Sequence, residues 1–321
     1  MNKAILPKVA KPIRYEVKLD IDLSNFEYTG FQDVELEIIK ETKSFEVNAI
    51  DIEIVTASLF NEDGEKLDLA FEYMKDLERI SFSANENITV GKYSLQLEFN
   101  STITNDLKGF YKSQFLDLND NVKWIATTQF EPTSARNAFP CWDEPEYKAV
   151  FSIALTSDEK YLRISNEKVL SENKLKDGRV ETLFVDSMKM STYLVAFVIG
   201  ELEVTEVGSV GDTKIRIIHR PGFSHQTSFA GIAGMKILEF FENYYQIPYP
   251  GSKLDLIAIP DFAMGAMENV GAVTFRESLL LIDESKATRQ ELSRSVSVIA
   301  HELAHMWFGD LVTMKWWDGI W

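Results

Sequence analysis

The sequence predicts a mainly β first part, built as an antiparallel sandwich or saddle, and a second part in which helices join the strands. Up to about residue 156, apolar residues mostly alternate with polar ones, which is the two-residue period of a strand. In two later segments the period lengthens toward 3.6 residues, as on one face of a helix. The chain of 321 residues is long enough for roughly two domains of about 150 residues each.

Strand-like runs recur about every 10 to 15 residues with turn residues between them, a spacing typical of antiparallel sheets. The clearest runs cover residues 13–21, 34–38 and 93–99. Residues 61–64 supply a turn between two further short runs, because they combine Asn, Asp and Gly. Similar runs extend the β-rich part to about residue 218, over residues 181–185, 191–199 and 214–218.

Helical periodicity begins with residues 229–245 and returns from about Thr288. The first of these segments must end before Pro248, because proline cannot continue a helix. The change of period places a domain boundary near residue 200. We therefore predict an N-terminal β domain of residues 1–200 and the beginning of a second domain in residues 201–321.

Composition excludes several classes of protein. The chain has 33 Lys and Arg against 50 Asp and Glu, and its net charge of −17 argues against binding to a phosphate backbone. No run approaches the roughly 18 to 20 apolar residues of a membrane span, and residues 1–8 lack the apolar core of a signal peptide. Cys141 is a lone cysteine, so no internal disulfide can form. We expect a cytoplasmic protein, away from nucleic acids and membranes, with no obligate protein partner.

A His-Glu-x-x-His segment, from His301 to His305, lies inside the second predicted helix. Side chains four residues apart on a helix differ by only about 40° in direction, so the two imidazoles can bind one Zn²⁺ ion together. Glu302 lies next to the first ligand and can act as the general base toward a bound water. A third ligand is needed, and the residues alone leave it open, since Asp310 and Asp318 are the only carboxylates after His305.

Four segments in the same order and spacing resemble the gluzincin aminopeptidase family, which includes alanyl and puromycin-sensitive aminopeptidases. The resemblance covers essentially the whole chain. Its segments are residues 128–132 (Thr-Gln-Phe-Glu-Pro), 138–145 (Ala-Phe-Pro-Cys-Trp-Asp-Glu-Pro), 265–269 (Gly-Ala-Met-Glu-Asn) and 301–310. The resemblance implies a β-saddle domain followed by the start of a thermolysin-like α+β catalytic domain. It also implies one zinc ion and an activity that removes N-terminal residues from peptides with a free N-terminus.

The resemblance also assigns substrate-binding residues. Glu131 and Glu268 match the family's two carboxylates that bind the substrate's α-ammonium group, a cation that only a free N-terminus offers. Gly265 and Ala266 are small and would let the backbone of residues 265–269 pair with an extended peptide. We expect substrate contacts from Gly265, Ala266, Met267, Glu268 and Asn269.

The family's third zinc ligand is a Glu about nineteen residues after the second His, which places it about three positions beyond Trp321. The family's transition-state tyrosine would also lie downstream. We therefore expect little or no hydrolysis from the 321 residues by themselves.

Two alternatives stay open at this point. One is an epoxide hydrolase or peptidase of the leukotriene A4 hydrolase branch. That branch typically has Gly where Ala266 stands, so Ala266 and Glu131 favour a plain aminopeptidase. The other alternative is a non-catalytic, peptide-binding fragment that holds zinc weakly through two histidines.

Overall fold

A computed structural model describes residues 5–320, and the strands of its first part form two sheets. In chain order these strands are β1 (Ala10–Asp22), β2 (Glu27–Ile38), β3 (Thr42–Asn48), β4 (Glu53–Asn61), β5 (Lys66–Met74), β6 (Arg79–Ile88), β7 (Gly91–Thr102), β8 (Gly109–Leu116), β9 (Val122–Gln129), β10 (Val150–Asp158), β11 (Leu162–Ser165), β12 (Val169–Lys174), β13 (Arg179–Phe184) and β14 (Phe197–Gly200). One sheet of ten strands has the order β12-β13-β10-β1-β2-β7-β4-β5-β6-β3, and a sheet of four has the order β11-β14-β9-β8.

The second part contains a third sheet and the helices. Its elements are β15 (Glu203–Val210), β16 (Thr213–His219), α1 (Ser228–Tyr245), β17 (Lys253–Ile259), β18 (Ala266–Met267), β19 (Ala272–Arg276), α2 (Glu277–Leu280) and α3 (Arg289–His305). The five strands have the order β15-β16-β17-β19-β18, which makes β18 an edge strand. The predicted fold class, a β-rich domain followed by the start of an α+β domain, is confirmed.

The alternating pattern has the expected physical meaning. In β1 the side chains of Tyr15, Val17 and Leu19 are buried, while those between them are more exposed. The strand lies between an antiparallel neighbour, β2, and a parallel neighbour, β10, with Arg14 opposite Val150. Its apolar face therefore contributes to the core of the ten-stranded sheet.

The run of residues 191–199 forms less strand than its composition suggests. A 3-10 turn occupies Thr192–Leu194, and only β14 after it pairs in a sheet. The 3-10 turn and β14 are both fully buried, so their side chains contact the protein interior on every side. A continuously buried segment lacks the alternation that separates strand from other structure.

Helix α3 begins one residue after the predicted start, because Thr288 caps it. The Thr288 hydroxyl accepts a hydrogen bond from the Glu291 backbone N–H, and the Glu291 carboxylate accepts one from the Thr288 N–H. This capping box satisfies two backbone donors that a helix start leaves without partners. Among residues 5–320, no helix combines the length and the apolar character that crossing a bilayer requires.

One of the two hydrophobic clusters of the described residues spans both parts, and the other lies within the second part. Ile218, Ile257 and Met267 of the second part belong to the same buried cluster as Phe130 and Phe197 of the first part. The strands up to β14 belong to the first two sheets, and the strands from β15 onward form the third. We keep the domain boundary near residue 200 as a proposal, since this change of sheet supports it.

Gly271 shows how tightly the two parts meet. It precedes β19 with a φ of +73°, and a Cβ atom built on it would lie 1.8 Å from the backbone oxygen of Asn166. We expect Gly271→Ala to lower the free energy of unfolding by about 3 kcal/mol, because the two backbones must separate. Gly178→Ala is the matched control, since Gly178 has a similar φ of +87° and open space around it. Urea denaturation giving equal losses for the two variants would contradict this account.

Candidate metal and substrate site

Helix α3 brings His301 and His305 together in its last turn. Their Nε2 atoms are 3.1 Å apart, and the two rings are nearly perpendicular, at 85°. Zn²⁺ binds imidazole nitrogen at about 2.0–2.1 Å, so a tetrahedral ion would hold two such nitrogens roughly 3.3 Å apart. The two imidazoles therefore fit one edge of a tetrahedral zinc site.

The loop after α3 orients His305. Its Nδ1 atom lies 2.9 Å from the Phe308 carbonyl oxygen, and a carbonyl can only accept, so Nδ1 donates the proton. Nε2, on the other side of the ring, can then offer its lone pair to an ion. Burial, together with the nearby His305, lowers the pKa of His301 and favours the neutral form that binds metal.

Three carboxylates lie beside the histidine pair. Glu302 and Glu268 are 5% and 4% exposed, and Glu131 is half-buried. Burial raises the pKa of all three, and that of Glu302 reaches about 8 because the charges of Glu268 and Glu131 add to the effect of burial. Three buried or half-buried carboxyl groups close to one another form a site that favours an incoming cation.

The segment of residues 265–269 contains the short edge strand β18. Ala266 and Met267 pair with β19, opposite Phe275 and Thr274. Because β18 ends the sheet, the outer side of its backbone has no neighbouring strand among the described residues, which is the arrangement that an added peptide strand requires. Gly265 is exposed and Ala266 is half-buried, so little side chain obstructs this edge.

Two predicted contact residues of this segment point their side chains into the protein. Met267 is fully buried, and its sulfur accepts a hydrogen bond from Gln129 at 3.3 Å. The Asn269 side chain donates to the Ala272 carbonyl and to the Thr274 hydroxyl. These inward side chains hold the segment in place. Contact of Met267 and Asn269 with a peptide stays a prediction, and it would be made through their backbone atoms.

Sequence reasoning did not predict that Asp310 is buried close to this site. Asp310 is fully buried, and among the described residues neither carboxylate oxygen has a hydrogen-bond partner. Burial and the charge of Glu268 raise its pKa, whereas the Lys148 ammonium opposes the rise. The sequence showed Asp310 only as one of two carboxylates that follow His305, and nothing in it indicated that Lys148 lies beside Asp310.

The donor set for a metal is incomplete within the described chain. Across residues 5–320, no group of three or more His, Cys, Asp and Glu side chains is arranged to hold an ion. The described residues therefore offer two imidazoles at a suitable spacing and no complete ligand set.

A β-rich domain joined to a helix that carries His-Glu-x-x-His is the arrangement of a metallopeptidase. Two family models match this chain, the peptidase M1 N-terminal domain over residues 11–194 and the peptidase family M1 domain over residues 229–321. The chain belongs to the M1 peptidase family, and the predicted resemblance is confirmed.

Several relatives are similar over nearly all of this chain. Puromycin-sensitive aminopeptidase of Caenorhabditis elegans is 39% identical over 98% of it, and Aminopeptidase M1-A of Oryza sativa subsp. japonica is 39% identical over 100%. Endoplasmic reticulum aminopeptidase 2 of Homo sapiens is 38% identical over 98%. These alignments cover 34%, 37% and 34% of the relatives, so the chain spans about a third of their length.

Proposed function

We propose that this chain supplies the metal-binding helix and the amine-binding carboxylates of a zinc-dependent aminopeptidase. The observation that carries the proposal is the pair of imidazole nitrogens 3.1 Å apart, with the buried Glu302 between the two ligands in sequence and Glu131 and Glu268 close by. Membership of the M1 family supports it, since the reported relatives are aminopeptidases by name.

His301 and His305 would hold the zinc ion through their Nε2 atoms. When bound, zinc polarises the scissile carbonyl and lowers the pKa of a water molecule. Glu302 accepts the proton of the attacking water and returns it to the leaving amine. Its buried position makes the carboxylate a stronger base than an exposed Glu, as the raised pKa of about 8 indicates.

Substrate selection follows from the neighbouring acids. Glu131 and Glu268 would bind the α-ammonium group of the first residue, because burial raises the pKa of both carboxyls and a neighbouring cation would stabilise their charged forms. The outer edge of β18 would pair with the peptide backbone. Together these contacts place the first peptide bond at the metal and exclude chains without a free N-terminus.

The remaining predictions stay open. A cytoplasmic location is compatible with the single buried Cys141, but one relative is named for the endoplasmic reticulum. The epoxide hydrolase alternative has no observation in its favour. The other alternative is a non-catalytic fragment that binds peptides and holds zinc weakly, and a measurement of hydrolytic activity distinguishes it from an enzyme.

The test uses a polypeptide that extends this chain until a third metal ligand is present. We expect it to cleave a peptide with a free N-terminus and to cleave the N-acetylated form at least about 100-fold more slowly, because acetylation removes the ammonium charge. The 321 residues alone serve as the low-activity comparison. Equal cleavage of both peptides would indicate an endopeptidase, and robust turnover by the short chain would contradict the need for a third ligand.

A further inference from the structure

Four consecutive backbone carbonyls follow the metal-binding helix, at residues 308–311, and each accepts a hydrogen bond from a side chain. His305 donates to the first of them, the Phe308 oxygen, at 2.9 Å. Tyr193 donates to the Gly309 oxygen at 3.1 Å. Lys148 donates to the last two, the oxygens of residues 310 and 311, at 2.8 and 3.1 Å.

Two of these donors, Tyr193 and Lys148, come from the first part of the chain. Lys148 precedes β10, and Tyr193 lies in the turn before β14. The Tyr193 side chain is 1% exposed, and Lys148 is half-buried. The Thr313 hydroxyl also donates to the carbonyls of residues 309 and 310, but it moves with the loop and cannot fix the loop against the first part.

The loop is also continuous with the helix end. The Asp310 backbone N–H donates to the His305 carbonyl, and the N–H of residue 311 donates to the Met306 carbonyl. A displacement of residues 309–311 would therefore also move the Phe308 carbonyl. That carbonyl is the acceptor that selects the protonated nitrogen of His305.

We propose that Lys148 and Tyr193 are positioning residues that fix His305 as a metal ligand by holding the carbonyls of residues 309–311. This inference rests on the proposed zinc site and identifies the residues of the first part that keep it in order. Groups that orient a ligating histidine typically change metal affinity by about 10- to 100-fold when they are removed.

The first measurement needs no metal. In the 321-residue chain labelled with ¹⁵N-histidine, long-range ¹H–¹⁵N correlation reports which nitrogen of each ring is protonated, and His305→Gln assigns the His305 signals. We expect His305 to be protonated at Nδ1. Lys148→Met should shift the ratio toward the Nε2–H form by about tenfold, and Lys148→Arg should restore it, since Arg can donate to two carbonyls.

The second measurement is zinc affinity by competition with a chelator. Lys148→Met should raise the zinc Kd by about tenfold. Lys123→Met is the matched control, because Lys123 is also half-buried but pairs with Glu201 instead of the carbonyls of residues 309–311. Tyr193→Phe removes a single oxygen and gives a second variant if the Lys148 variant does not fold.

The outcomes separate the two proposals. A folded Lys148→Met or Tyr193→Phe chain with an unchanged His305 proton ratio and an unchanged zinc Kd overturns the positioning inference, as does a wild-type His305 protonated at Nε2 alone. A wild-type chain that shows the expected proton ratio but does not bind zinc overturns the proposed metal site instead.

Discussion

Replacing Glu302 with Gln is expected to lower kcat by roughly three to four orders of magnitude while zinc stays bound. The substitution keeps the size of a side chain that is 5% exposed, so packing around α3 is preserved. An amide cannot take the proton of the attacking water, and only the general base is lost. The measurement compares aminoacyl arylamide turnover with zinc content by mass spectrometry, in a polypeptide extended to supply the third ligand.

Glu239→Gln makes the same chemical change on the exposed side of α1 and should leave both readings unchanged. Turnover of the Glu302→Gln variant near that of the wild type, with zinc retained, would contradict the assignment. Loss of zinc together with activity would show that Glu302 supports the metal site and would leave its role as a base without support.

Replacing Glu268 with Ala is expected to lower kcat/KM by about 100-fold, mainly through a higher KM. Glu268 is 4% exposed, and its carboxylate faces the same site as Glu131, so the substrate's ammonium group would lose its more buried partner. The same extended polypeptide and aminoacyl arylamides give the measurement. A free amine should be affected far more than an acetylated one, because only the free amine carries the charge.

Glu284→Ala removes an exposed carboxylate of the second part and serves as the control for net charge. An unchanged KM and rate for the Glu268 variant would mean that another group binds the amine. A loss of the same size for free and acetylated substrates would indicate a general disturbance of the segment that carries Glu268.

The sequence predicted the features that depend on local periodicity. The alternation in β1 and the capped start of α3 follow from neighbouring residues, and so does the approach of His301 to His305, since helical spacing fixes it. The resemblance singled out Glu131 and Glu268 before any geometry was available, and the structure places both close to the His301–His305 segment of α3.

Features that depend on distant pairing could not be predicted in the same way. Lys148 and Tyr193 meet the loop of residues 309–311 only because the first part of the chain packs against the segment after α3, and no pattern in the sequence reports such a meeting. The inward orientation of Met267 and Asn269 is similar, because it depends on which face of a two-residue strand the core covers.

The parallel pairing of β1 with β10 constrains the order in which the chain can fold during synthesis. Arg14 lies opposite Val150, so β1 gains its second neighbour only after more than about 100 further residues have been made. At about 5–20 residues per second, a ribosome needs on the order of ten seconds to make them. Throughout that delay, one edge of β1 is open to pairing with other nascent chains, and chaperone binding there would protect the ten-stranded sheet from aggregation.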